Sequence, residues 1–154
     1  MNAFIPQDPN YAARVRDSFA RQAAMAFIGA ELADVRPGYC EIRLRHRPEL
    51  TQQHGFFHGG IVGTIGDSAG GYAAFSLMPA DAAVLTVEYK LNLIAPADGE
   101  LLIARGRVVK PGRTLTVAQF EVSVVKNGME RVSATALQTL MCLAGRPDTP
   151  ALRG

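Results

Sequence analysis

The stretch Gln52–Met78, QQHGFFHGGIVGTIGDSAGGYAAFSLM, decides how the rest of this chain is arranged. It opens with polar residues and glycines and continues as a helix-length run whose single charge is Asp67. Pro79 follows and stops a helix, because proline cannot supply the amide hydrogen the next turn needs. At 100° per residue Ile61, Val62, Ile65, Ala69, Tyr72, Ala73 and Ser76 share one side, a mostly apolar stripe that predicts a core-facing surface. The other side carries Gly63, Gly66, Gly70 and Gly71 with Asp67, Ala74 and Leu77. Each interior glycine costs about 1 kcal/mol relative to alanine, so the cluster predicts that something approaches the helix backbone. The spacings Gly59/Gly63 and Gly66/Gly70 fit a close packing contact. Asp67, with Gly63, Gly70 and Gly71 at i−4, i+3 and i+4, equally fits a working carboxylate on a cleared surface. A membrane span fits poorly, since Asp67, His58 and the glycines lower the hydrophobicity of the run.

At 154 residues the sequence reads as one domain, 1–154, with an arm and helix over 1–27 and a polar tail over 145–154. Apolar residues make up 48% and charged residues 19%, which excludes a disordered chain or a coiled coil. A net charge of +2 without a Lys/Arg run gives no basis for a nucleic-acid partner. The opening MNAFIPQDPNYAARVRD lacks a basic segment followed by an apolar one, so no signal peptide is expected. Cys40 and Cys142 lie in apolar strand-like runs and are expected as buried free thiols. A cytoplasmic protein, not bound to membrane, is the expectation.

Asn10 is placed to cap a helix from Tyr11 to about Ala26, with Tyr11, Val15, Phe19 and Ala23 along one stripe. Strands are predicted over 28–35 and 39–45, joined at Pro37-Gly38. After the glycine-rich helix the run from Leu85 to Leu93 alternates, with Leu85, Val87, Tyr89, Leu91 and Leu93 on one face. Further strands are predicted over 101–110, 115–125 and 131–143, and Asn127-Gly128 marks a tight hairpin. The expected assembly is α+β: a helix, two strands, the long helix, then four strands in an antiparallel meander that curls around that helix. Such a sheet leaves an open edge strand and one side of the helix uncovered, which predicts a symmetric dimer.

Gln52, Gln53, His54 and His58, followed by Gly59-Gly60, cluster where the helix begins. A helix N-terminus offers unpaired N–H groups and a positive dipole end, a natural oxyanion site. Asp67 lies roughly 13 Å further along the axis, too far for both to act on one atom within a chain. Across a two-fold axis the two ends can meet. His54 and His58 stand at i, i+4 but before a continuous helical face, so no metal is expected. No Ser-His-Asp or G-x-S-x-G arrangement is present, which argues against a serine hydrolase. Ser68 reads either as a packed helix serine or as a neighbour of the substrate. Lys90, Gly112 and Arg113 read either as solvated surface or as a cationic turn suited to phosphates.

His58-Gly59-Gly60 with Asp67 nine residues after the histidine resembles the hotdog-fold acyl-CoA thioesterases of the PaaI (phenylacetate pathway) type, and the resemblance extends over about residues 28–143. It implies an antiparallel sheet wrapped around one long central helix, with sites between paired subunits in homodimers or dimers of dimers. It implies that Asp67 is general base or nucleophile, that the Gly59 N–H polarises the thioester carbonyl, and that His58 shapes this end of the site. The family commonly has asparagine six residues before the HGG histidine, where this chain has Gln52. It implies an acyl-CoA substrate, aromatic or medium- to long-chain, with coenzyme A as part of the substrate and no further cofactor. Gly60, Ser68, Lys90, Gly112 and Arg113 are the candidate substrate contacts. A non-catalytic acyl-CoA binding protein is the alternative, and a hotdog hydratase lacks its Asp-to-His spacing here.

Overall fold

A computed structural model describes residues 4–149; residues 1–3 of the arm and 150–154 of the tail lie outside the described residues. Helix α1 (Tyr11–Arg21) starts where Asp8 Oδ1 accepts the Asn10 N–H at 2.8 Å, so Asp8, not Asn10, supplies the side-chain bond there. The helix expected to run on to Ala26 breaks at Gln22, whose backbone is extended, and resumes as α2 (Ala23–Ile28). Gly29, at φ 78°, ends α2 in the left-handed conformation glycine tolerates, so Ile28 is helical and β1 (Ala30–Arg36) begins later than expected. Strand β2 (Tyr39–Arg45) follows, then a loop leads to α3 (Gly59–Phe75). Strands β3 (Ala83–Leu93), β4 (Leu101–Lys110), β5 (Leu115–Lys126) and β6 (Met129–Leu143) complete the described fold.

One antiparallel sheet wraps α3, in the order β1-β2-β4-β5-β6-β3. The expected four-strand meander is thereby corrected: β4, β5 and β6 form hairpins, but β3 crosses to the far edge and pairs with β6. Alternation defines a strand's faces and says nothing of its neighbour. A bulge between Thr86 and Glu88 also swaps the faces of β3. Ahead of it Thr86 points at α3; beyond it Tyr89, Leu91 and Leu93 do, against Gly63 and Gly59. Leu85 and Val87, expected to share a face with Tyr89, Leu91 and Leu93, instead point away from α3 and are 58% and 51% exposed.

Helix α3 is buried on nearly all sides, since Val62, Ile65, Ala69, Tyr72 and Ala73 are core and the glycines opposite are buried too. A side chain at Gly66 would collide with the Phe120 ring at 2.3 Å, and one at Gly70 with Gln138 Oε1 at 1.9 Å. The glycine surface expected to lie bare for a ligand is thus largely filled by the chain's own sheet. Gly106 on β4 lets the helix backbone settle closer still: a Cβ there would stand 2.2 Å from Ala69 O. Beyond Gly59 and Gly60 at its start, only a strip of α3 holding Ile61, Thr64, Asp67 and Ser68 escapes full burial. Arg14 fastens the helix end by donating to the carbonyls of Phe75, Met78 and Pro79 at 3.1, 2.8 and 2.6 Å. Among the described residues no helix is long and apolar enough to cross a membrane.

Candidate active site

The loop before α3 is pinned by backbone bonds from Phe57 N–H to Ala97 O at 3.0 Å and from His58 N–H to Leu50 O at 2.9 Å. His58 is extended and caps the helix: its Nδ1 accepts the Gly60 N–H at 2.9 Å, which places the hydrogen of the neutral ring on Nε2. Ile61 and Val62 donate to His58 O. The Gly59 N–H alone of this first turn has no acceptor among the described residues. Gly59 opens onto a cleft of about 280 Å3 lined by Phe56, Phe57, Val62, Leu93 and Ile94. A helix start with a single free N–H beside an apolar cleft can hold a carbonyl oxygen that gains negative charge.

Asp67 faces a second, larger cleft of about 510 Å3 between α1, α3 and the start of β3. Thr86 donates its hydroxyl hydrogen to Asp67 Oδ1 at 2.7 Å, and Gln138 Nε2 donates to the same oxygen at 2.5 Å. Oδ2 has no partner among the described residues. Burial pushes the Asp67 carboxyl above its ordinary pKa, while the Thr86 and Gln138 hydrogen bonds pull against that rise. A carboxylate so placed is a stronger base than a solvated one, with one oxygen held and the other available.

Ser68 lines the Asp67 cleft and donates to Gln22 Oε1 at 3.3 Å, so the break between α1 and α2 builds part of the wall. Tyr72 lines this cleft as well, with its hydroxyl 3.2 Å from Ser18 Oγ. Phe56 and Phe57 lie at the other cleft, and Phe75 is fully buried in the core. Gln52 stays in its own loop: its Oε1 accepts the His54 N–H. Gly60 has its N–H taken by His58. Lys90 is exposed on β3 and donates to Asn92 Oδ1 at 2.6 Å. Gly112 and Arg113 border a groove of about 410 Å3 with Leu77, Met78 and Pro79, at the end of α3 remote from Gly59. Within one chain the candidate residues therefore form three separate groups, Gln52 to Gly60, Asp67 with Ser68, and the turn at Gly112, with Lys90 apart from all three on β3. Thr86 and Gln138 were missed from sequence. Gln138 carried a signal, as a polar residue among the alternate positions Ala134, Ala136 and Leu140 of β6 that are all buried.

Three comparisons bear on this arrangement. Residues 54–130, half of the chain, match the family model described as the thioesterase superfamily. A crystal structure of a thioesterase family protein from Silicibacter pomeroyi is 56% identical, with a TM-score of 0.87 over 88% of this chain and 99% of that one. The E. coli PaaI protein from the phenylacetic acid degradation operon shares the fold at 16% identity, with a TM-score of 0.80 over 92% of this chain and 99% of its own. A Halobacterium salinarum relative, provisionally named an esterase, is 35% identical over 64% of this chain and 68% of its own length. The sheet-wrapped helix accords with these matches, and the chain belongs to the thioesterase superfamily as a hotdog-fold thioester hydrolase.

Proposed function

We propose that the chain hydrolyses acyl-CoA thioesters to a carboxylic acid and coenzyme A at a site shared by two copies. The observation that carries this reading is the separation of Asp67 from the free Gly59 N–H on a single helix. Eight residues set them about 12 Å apart along the axis, so one thioester carbon reaches both only if they come from different chains. Strand β3 is an open sheet edge beside the uncovered strip of α3, with Val87 and Leu85 exposed. A second copy added along β3 extends the sheet and brings its own α3 alongside, antiparallel by symmetry. A further pairing of such dimers would give the dimer of dimers that the family resemblance implies.

In the shared site the Gly59 N–H of one chain receives the thioester oxygen. Asp67 of the other, through Oδ2, takes a proton from water as the water attacks the carbonyl carbon, or attacks that carbon itself to give a mixed anhydride that water then opens, releasing the acid and restoring the carboxylate. The C–O bond forms as the C=O pair moves onto oxygen. The tetrahedral intermediate then expels the CoA sulfur, which becomes the thiol by taking the proton that Asp67 removed from water or, on the nucleophilic route, a proton from the water that opens the anhydride. His58 acts here by holding the first turn, and Gln52 by its position in the preceding loop. Lys90, Gly112 and Arg113 are the proposed contacts for the coenzyme A phosphates, and Ser68 and Gly60 for the thioester end. The mixed lining of the larger cleft is the proposed seat of the acyl group, aromatic or medium- to long-chain.

Thiol release from aromatic, short-, medium- and long-chain acyl-CoAs tests the reading with wild type beside Asp67→Ala. Turnover of at least one of these by the wild type, lost in a folded variant, is the expected result. Equal release by both proteins would overturn the assignment of Asp67.

A further inference from the structure

Gln138 is the feature of this molecule that neither the fold nor the proposed chemistry requires. Its side chain is completely buried, yet it is an amide in a row of apolar inward positions on β6. Its Nε2 stands 2.5 Å from Asp67 Oδ1, 3.1 Å from Asp67 O and 3.3 Å from Thr86 Oγ1. Its Oε1 is buried with no hydrogen-bond partner. Turning the amide over would aim that oxygen at the two Asp67 oxygens, replacing both Nε2 donations by repulsion between oxygens. The orientation is therefore set by Asp67, and an unsatisfied acyl oxygen is what this orientation costs. An aliphatic side chain would fill the position without that penalty. Gly70 is part of the same device: the Cβ it lacks would lie 1.9 Å from Gln138 Oε1, so the missing side chain is what lets the amide reach across to the helix.

We propose that Gln138 is a positioning residue, paired with Gly70, whose buried amide fixes the Asp67 carboxylate so that Oδ1 stays engaged and Oδ2 is presented to the cleft. This rests on Asp67 being the proposed reactive carboxylate. An amide N–H favours the charged carboxylate, opposing the burial that disfavours it, so Gln138 also keeps Asp67 ionised to lower pH. The other titratable groups facing this position are Tyr72 on α3, Tyr89 on β3, Arg21 on α1 and Asp148 in the tail. Arg21 and Asp148 are paired with each other at 2.9 Å. From β5 comes only Phe120, which leaves Gln138 and Thr86 as the direct donors.

The test is the pH profile of thioester hydrolysis for Gln138→Met and Gly70→Ala, with carbon-13 NMR titration of the Asp67 carboxyl in each. Met has the length of Gln without its donor; Ala at 70 leaves Gln138 in place but displaces its amide. Both variants should raise the acid limb and the NMR midpoint by about one pH unit, with kcat reduced and KM nearly unchanged. The double variant should add little to either single one. A folded Gln138→Met with wild-type limb and midpoint would overturn the proposal even if Asp67→Asn is inactive. An active Asp67→Asn overturns the reactive-carboxylate reading itself, and the positioning role with it.

Discussion

Thr86 donates to Asp67 Oδ1 across 2.7 Å because a bulge turns Thr86, and not its neighbours Leu85 or Val87, toward the helix. A polar side chain on the outer alternation of a strand thereby becomes a partner of the site's carboxylate. Thr86→Val keeps the shape and β-branching but removes the donor. It should lower kcat roughly tenfold, within the range of single charge-assisted hydrogen bonds, with KM changed far less. Steady-state kinetics on one good acyl-CoA checks the split.

Asp67 should cost the folded protein stability at neutral pH. Its carboxyl pKa is raised on folding, by burial, so the group binds its proton more tightly in the folded chain than in the unfolded one. That contribution is fully present below the unfolded carboxylate pKa and is lost as pH rises through the folded value. Asp67→Asn retains an oxygen for Thr86 and Gln138 without the charge. Thermal melts should place the variant above wild type at pH 7, and the gap should close as the pH falls below the ordinary carboxylate range.

Gly59→Pro is a clean deletion of the proposed oxyanion donor. Gly59 is the first residue of α3, where proline is favoured, and His58 is already extended as a residue before proline must be. The added ring meets the end of the Leu93 side chain, which can rotate away. Activity should fall about 100- to 1000-fold in a protein whose melting temperature changes little.

Arg14 gathers three carbonyls at the end of α3 and stacks 4.2 Å from the Phe75 ring centre. Arg14→Ala exposes those acceptors within a partly buried corner. A loss of about 2–4 kcal/mol is expected from the helix end and the packing combined. Urea unfolding at pH 7 measures it.

Strand β3 should carry the association of two copies. Val87→Asp puts like charges near one another across a symmetric edge, and each would have to lose water there. Sedimentation should show the folded variant as a monomer, inactive at concentrations where wild type works.

Much of this was readable in the chain. The bounds of β2 and β4 were legible because they are local properties of the backbone, whereas α3 stops at Phe75, short of the Pro79 expected to close it. The pairing of β3 with β6 was not readable, since Leu85 to Leu93 alternates identically whichever strand lies beside it. The bulge hid Thr86 for the same reason: one inserted residue reverses the faces without changing composition. Gly66 and Gly70 announced a close approach correctly, but a glycine records only that room is needed. Phe120 and Gln138, and no ligand, occupy that room. His58 and Gly59 stood out in sequence; that His58 takes the Gly60 N–H and leaves the Gly59 N–H free required coordinates.

The shared site is the central claim, and complementation tests it most directly. Asp67→Asn and Gly59→Pro chains, each inactive alone, are co-expressed so that mixed dimers form. In each mixed dimer one site carries both defects and the other carries neither. Half of randomly assembled dimers are mixed, so about a quarter of wild-type activity should return. Mixed dimers, isolated by two different tags, that remain as inactive as their parents would show that Gly59 and Asp67 do not meet across two chains.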